Sequence, residues 1–285
     1  MNIREKINAA RARLAAAGIE YGEAGRDANL LARHVLGWDR AMVYAHETDE
    51  ASAEFGGKLD ALIERRARRE PAAYIRGVQE FWSRDFHVTP AVLIPRPETE
   101  LIVEEFLARL PEDLPNRRQR VADIGTGSGC LAVSLAHEIE GAHITATEVS
   151  RTALTVARDN ARRLGVSSRV TFVETSFLDG IDGPFDLIAA NPPYVKDGDK
   201  PALSHDVRHE PDVALFGGET GLQGVEAVLD AAVRTLVSGG WLVMEFGFGQ
   251  EDDVRHLVAA RPALRMDRVR ADLQGIPRTA VIQRS

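Results

Sequence analysis

From Arg120 to Ala260, apolar runs of strand length alternate with amphipathic runs of helix length: RVADIG, LAVSLAHEI, HITATEV, RTALTVARDNARRLG, RVTFVET, FDLIAAN, LQGVEAVLDAAVRTL, WLVMEF and EDDVRHLVAA. Strands such as FDLIAAN are apolar almost throughout rather than at every second residue, so both of their faces must be covered. The alternation predicts an α/β region, a mostly parallel sheet with helices on both faces.

The first 75 residues follow a different pattern. Ile3, Ile7, Ala10 and Leu14 recur at helical spacing, Asp27 is placed to cap a helix over DANLLARHVLGW, and Phe55, Leu59, Leu62 and Ile63 mark a further helix before Pro71. This predicts a small helical bundle over residues 1–75. Residues 76–95, within AYIRGVQEFWSRDFHVTPAVLIP, read as a β-hairpin linker. The last region, 96–285, opens with PRPETE, where Pro97 and Glu98 suit the first turn of a helix over TELIVEEFLARL.

Composition narrows the partners. The chain has 285 residues, 44% of them hydrophobic and 27% charged, ordinary for a globular chain with one large and one small domain. A single cysteine, Cys130, excludes an internal disulfide and a cysteine-cluster zinc site, and makes a reducing cytosol the expected compartment. The N-terminal segment has scattered charges and no apolar core of signal-peptide type, and no window has the apolar length of a membrane span. Net charge is −8, and all of the excess lies in residues 96–285, with 21 basic against 29 acidic residues. Such a region is a poor electrostatic match for a polyanion. The basic run Arg65, Arg66, Arg68 and Arg69 reads as a solvated helix face.

Two stretches carry chemistry. In VADIGTGSGCLAV a strand runs into Gly125, Gly127 and Gly129 and then a helix, and glycines there let a ligand approach the backbone. Glu148 follows at the end of the next strand, the position from which a carboxylate accepts ribose hydroxyls. A nicotinamide dinucleotide and S-adenosylmethionine both satisfy that pattern.

The second stretch, FDLIAANPPYV, chooses between them. Pro192 and Pro193 donate no ladder hydrogen bond and must end the strand, which leaves Asn191 at a strand's carboxyl end. An amide or exocyclic amine is a poor nucleophile because its nitrogen lone pair is delocalised. The Asn191 side-chain oxygen and the Pro192 carbonyl are two acceptors able to hold its two N–H groups and turn that lone pair toward a methyl donor, with the prolines fixing the backbone that presents them. Tyr194 offers a π face to a nitrogen becoming positive.

Taken together, PRPETE, DIGTGSG, Glu148 and NPPY resemble the protein-glutamine N5-methyltransferases, and most closely the bacterial family acting on class 1 peptide chain release factors. The resemblance covers nearly the whole chain, including EFWSRDFHVTPAVLIPRPETEL, HEPDVALFGGETGL and DLQGIPR. NPPY alone is shared with nucleic-acid amino-methyltransferases. The sister family acting on a large-subunit ribosomal protein differs at PRPETE. These two remain the alternatives.

The resemblance implies a Rossmann-like class I S-adenosylmethionine-dependent methyltransferase fold in residues 96–285 and a substrate-docking role for the bundle. It implies transfer of a methyl group to the side-chain nitrogen of the glutamine in a Gly-Gly-Gln loop, leaving S-adenosylhomocysteine. The implied cofactor site is Asp123, Gly125, Thr126, Gly127, Ser128, Gly129, Glu148, Phe177 and Asn191, with Phe177 against adenine. Asn191, Pro192, Pro193 and Tyr194 are implied to bind the glutamine, with Asn191, Pro192 and Tyr194 catalytic. The chain departs from the family at Ser176, where members carry an acidic residue. No metal, membrane or stably bound nucleic acid is expected, and the implied enzyme is a cytoplasmic monomer. His205, Asp206, His209 and Glu210 are read as a polar covering loop, and Cys130 as a packing residue.

Overall fold

The computed structural model describes residues 1–109 and 119–285. Contacts divide the chain into two compact units, Met1–Val78 with Ser204–His209, and Gln79–Leu203 with Glu210–Ser285.

In the first unit the apolar spacing at the N-terminus becomes α1 (Ile3–Ala16), with Ile3, Ile7, Ala10 and Leu14 all buried and a capping box between Asn2 and Glu5 at its start. α2 (Tyr21–Leu36) differs from the sequence expectation: Glu20 is the cap, accepting from the Glu23 N–H, and Asp27 lies inside the helix. Gly22 and Gly25 look like a break but continue the helix, because Ala24, Ala28, Leu31 and Ala32 bury a continuous stripe. α3 (Arg40–Ala45), α4 (Ala53–Ala67) and α5 (Ala72–Arg76) complete the bundle around one apolar cluster.

The basic run on α4 is not wholly a solvated face. Arg66 is buried, and its guanidinium donates to Asp27 at 2.6 Å, to Glu23 at 2.7 Å and to Asp206 at 2.7 Å. Burying a guanidinium requires such partners, and Asp27 is where it is because Arg66 needs it. Asp206 is thereby spent in an ion pair rather than offered to a metal.

The second unit begins in a hairpin, β1 (Val78–Phe81) and β2 (Arg84–His87). A 3-10 turn over Pro97–Thr99 leads into α6 (Glu100–Leu107). Then follow β3 (Arg120–Ile124), α7 (Cys130–Glu138), β4 (His143–Glu148), α8 (Arg151–Arg163), β5 (Val170–Glu174) and β6 (Phe185–Ala190). The chain continues through the short α9 (Asp212–Leu215), α10 (Gln223–Thr235), β7 (Leu236–Glu245), α11 (Glu251–Ala259), β8 (Leu264–Ala271) and β9 (Pro277–Arg284). The seven-stranded sheet has the order β5-β4-β3-β6-β7-β9-β8. β3 to β7 are parallel, and β9 enters antiparallel between β7 and β8.

Strand residues pack alternately to the two faces, as the pleat requires. Val121, Ile144, Leu187 and Val243 join one apolar cluster, with residues of α6 and α7. Ala122, Ile188, Leu242 and Ile282 join the other, with residues of α10 and α11. The sheet is therefore covered on both sides, and all six residues of β6 are buried. The strand order reverses between β3 and β6, which opens a crevice at their carboxyl ends.

Beside the sheet, α6 contributes a fully buried carboxylate. Glu105 accepts from Arg268 at 2.8 and 3.0 Å, and from Arg109 and Arg270. Burial alone would raise its pKa, but the bonds from Arg268 and Arg270 and the charge of Arg109 outweigh that and hold it below the ordinary value. Among the described residues no helix is long and apolar enough to cross a membrane.

Candidate active site

The crevice is occupied by a cavity of about 360 Å³. Its wall is built from the carboxyl ends of four neighbouring strands: Gly125 and Gly127 after β3, Glu148 on β4, Phe177 after β5, and Asn191 with its prolines after β6. Ala91, Val92 and Leu93 add an apolar side, and Ser176 lies beside Phe177.

The glycine loop is fastened from behind. The N–H groups of Gly125 and Thr126 both donate to the Thr147 carbonyl, and the Gly127 N–H donates to Glu148 Oε2 at 3.1 Å. Gly129, at φ +83°, sits where a Cβ would lie 3.2 Å from Ala157 of α8, so its lack of a side chain serves close helix packing. Gly125 is different: a Cβ there would meet nothing within 4 Å, and its backbone borders open space in the cavity.

Sequence-predicted cofactor residues thus fall into two sets. Gly125, Gly127, Glu148, Phe177 and Asn191 line the cavity. Asp123, Thr126 and Ser128 are buried behind the loop, and Gly129 is also off the wall. Asp123 Oδ2 accepts from Thr126 Oγ1 at 2.6 Å and from the Ala132 N–H at 3.1 Å, so this carboxyl shapes the loop from the inside. Burial raises its pKa to about 7, with Glu148 adding to the rise against the lowering effect of those two bonds. Burial likewise pushes the Cys130 thiol up to about 12, which makes it unreactive at neutral pH.

Glu148 suits a ligand carrying a diol. Its Oε1 accepts from the Ser150 N–H at 2.9 Å and its Oε2 from Gly127, which orients the carboxylate and leaves each oxygen a further lone pair. Beyond it, Phe177 holds φ +48°, a conformation costly for an aromatic residue, and the strain is located at the cavity wall. A nucleoside with its ribose on Glu148 and its base along Phe177 matches these residues.

The NPPY segment is held by residues far away in sequence. Asn191 Nδ2 donates to Thr99 Oγ1 at 3.2 Å, Thr99 Oγ1 donates to Glu245 Oε2 at 2.6 Å, and the Tyr194 hydroxyl donates to Glu245 Oε1 at 3.1 Å. Gln250 Nε2 donates to the Tyr194 carbonyl at 3.1 Å. Behind the prolines, Gly224 lets α10 approach: a Cβ there would lie 2.8 Å from the Pro193 carbonyl.

Pro192 and Pro193 line the cavity with Asn191, whereas Tyr194 does not. Its ring lies against Gly247 and its hydroxyl donates to Glu245. Neither Asn191 Oδ1 nor the Pro192 carbonyl accepts a hydrogen bond from a described residue.

Glu245 is buried and forms no ion pair with a described residue. Burial raises its pKa, opposed by the bonds from Thr99 and Tyr194 and by Arg278, and reinforced by Glu98. The Tyr194 hydroxyl is pushed upward by burial and by the Glu245 charge.

Several supports escaped the sequence reading. Thr99 lies inside PRPETE but no spacing ties it to Asn191, 92 residues on. Asn160 of α8 bonds both the His87 backbone and the Ser128 carbonyl, and Glu210 accepts from the Ile94 N–H at 3.0 Å and from Arg96. Among the described residues no group of three or more His, Cys, Asp and Glu side chains is disposed to hold a metal.

Residues 5–77 match the family described as PrmC N-terminal domain, and residues 99–247 match the methyltransferase small domain. The chain is 41% identical over 280 residues to a release factor glutamine methyltransferase of Moorella thermoacetica, covering 96% of each chain. It is 41% identical over 269 residues to one of Bradyrhizobium diazoefficiens, covering 94% of this chain and 90% of that one. Among solved structures, a 16S rRNA N2 G1207 methyltransferase of T. thermophilus in complex with AdoMet and guanosine shares the fold, with a TM-score of 0.50 and 18% identity over 73% of this chain and 49% of that one.

Proposed function

Because the chain belongs to the release factor glutamine methyltransferase family, we propose that the cavity at the β3–β6 crevice is where its methyl transfer takes place, with Asn191 and Pro192 holding the substrate glutamine. The enzyme is S-adenosylmethionine-dependent and methylates a glutamine side chain of a release factor. We place that glutamine in a Gly-Gly-Gln loop, and give the N-terminal bundle the task of docking the rest of the substrate.

The residues present fit the cofactor: the open backbone at Gly125 and Gly127 for its methionine part, Glu148 for its ribose and Phe177 for its base. When bound, S-adenosylmethionine supplies an electrophilic methyl group on a sulfonium. Everything else is positioning by this chain. Asn191 Oδ1 and the Pro192 carbonyl accept the two N–H groups of the glutamine amide and hold its nitrogen in one orientation. Pro192 and Pro193 keep those acceptors fixed, so little freedom is lost at the moment of reaction. The apolar side formed by Ala91 to Leu93 excludes water from around the amide. No side chain on the cavity wall is needed as a nucleophile, and the Cys130 thiol, pushed up to about 12, is not one.

The observation that carries this reading is the pair of acceptors at Asn191 and Pro192 left open on the cavity wall. Asn191→Ala removes one of them. Single-turnover methyl transfer at saturating cofactor and release factor should fall about 10²- to 10³-fold, the usual cost of losing one preorganised polar contact. Cofactor affinity by calorimetry should stay near wild type. A near-normal rate would reduce the motif to a strand-ending turn.

A further inference from the structure

The Asn191 amide can face its site in two ways, one presenting an oxygen and the other an NH2 group, and only the first can accept from a substrate N–H. Nothing within NPPY selects between them. The selection lies in a chain of hydrogen bonds that starts from one buried carboxylate.

Glu245, at the end of β7, is 2% exposed, and its two oxygens are each taken by a hydroxyl: Oε2 by Thr99 at 2.6 Å and Oε1 by Tyr194 at 3.1 Å. Both hydroxyls donate to it, as they must whenever the carboxylate is ionised. Thr99 has one proton and spends it there, and its oxygen is left only as an acceptor. The group facing that oxygen at 3.2 Å is the Asn191 side chain, which must therefore turn its NH2 inward. Its Oδ1 is then the end left for the substrate. Thr99 is itself 3% exposed, so water does not compete for these bonds. The same carboxylate pins Tyr194, and both ends of the motif are referred to one fixed point.

We propose that Thr99 and Glu245 are positioning residues that set the direction of the Asn191 amide, and with it the acceptor offered to the substrate glutamine. This rests on the role given to Asn191 above. Thr99→Val keeps the side-chain shape and removes the hydroxyl, so the amide loses its reason to face one way. Glu245→Gln keeps volume but brings an NH2 group that can donate to Thr99 and reverse the whole chain of bonds.

The test is a double-mutant cycle on single-turnover methyl transfer, with cofactor affinity measured alongside. Thr99→Val and Glu245→Gln should each slow transfer about 10- to 100-fold, less than loss of the acceptor itself. Cofactor affinity should stay within about threefold, and Thr99→Ser, which restores the hydroxyl, should recover most of the rate. In an Asn191→Ala background, Thr99→Val should cost almost nothing more. An unchanged rate in Thr99→Val, or a full-sized loss that persists in the Asn191→Ala background, would overturn the proposal. Should Thr99→Val fail to fold by circular dichroism, Glu245→Gln in the two backgrounds decides the matter by the same criterion. A slow Asn191→Ala with a normal Thr99→Val would sink this inference alone, whereas a normal Asn191→Ala would sink the site reading beneath it.

Discussion

Glu105 and Glu245 are both carboxylates shut away from water, and they have been given opposite company. Glu105, on α6, is surrounded by three guanidiniums, and its pKa is held below the ordinary value. Glu245, at the end of β7, receives two hydroxyls and, among the described residues, no cation within ion-pair distance, and its pKa is raised. A carboxylate saturated by arginines fastens β8 to α6 and has nothing left to offer. One held by hydroxyls is linked outward, through Thr99, to Asn191 on the cavity wall. The difference separates a charge used for assembly from a charge used for orientation.

The largest effect that would test this contrast is on stability. Glu105→Ala strands Arg109, which is nearly buried, and should cost about 3 kcal/mol in urea unfolding. That is the low end for breaking a buried pair, because Arg268 and Arg270 are partly exposed and can be rehydrated. At a temperature where the variant is folded, its single-turnover rate should match wild type. A slow but stable Glu105→Ala would erase the distinction.

A smaller effect is expected at Glu148, a carboxylate that faces the cavity with both oxygens already bonded to backbone N–H groups. Glu148→Ala should weaken S-adenosylmethionine binding about 10- to 100-fold, corresponding to loss of charge-assisted hydrogen bonds, with the global unfolding midpoint little altered. Calorimetry measures the first and thermal unfolding the second. Unchanged affinity would remove Glu148 from the cofactor site.

The smallest effect sharpens the comparison most, because it has a sign. Glu105 is depressed when folded, so its contribution to stability is present above the unfolded value near 4.5 and is lost as pH falls through the lower folded value. Glu245 is raised, so stability associated with it is fullest below about 4.5 and falls as pH rises through its higher folded value. Replacing each by Gln and subtracting wild type should therefore give opposite slopes. The Glu105→Gln deficit grows as pH rises toward 4.5 and then levels. The Glu245→Gln difference turns in the variant's favour as pH rises above 4.5. Glu98 and Arg278 pull Glu245 in opposite directions and remain in both backgrounds. Parallel slopes would mean that the two carboxylates are in the same state.

How much of this could be read from residue order depends on how far each interaction reaches. The strand and helix runs from Arg120 onward, the glycine loop and the strand-ending prolines are local features, governed by periodicity and backbone limits. The wall residues Gly125, Gly127, Glu148 and Asn191 were legible for that reason, whereas Phe177 came only from the family resemblance. Thr99, Glu245 and Gln250 support the same motif across 51 to 146 residues, and only the fold brings them together. The start of α2 was misread because Asp27 has a strong capping tendency that its bond to Arg66 overrides. The buried Arg66 looked like surface because its acceptors are remote in sequence: Glu23 and Asp27 on α2, and Asp206.

The hexapeptide Ser204–His209, which belongs with the bundle although it lies within the sequence of the catalytic unit, has a consequence for exchanging parts between relatives. The chain crosses between the units three times, so no single splice point separates them. A chimera joined near residue 78 would pair one parent's Arg66 with the other parent's residue at position 206, and a mismatch there would leave a buried guanidinium short of an acceptor.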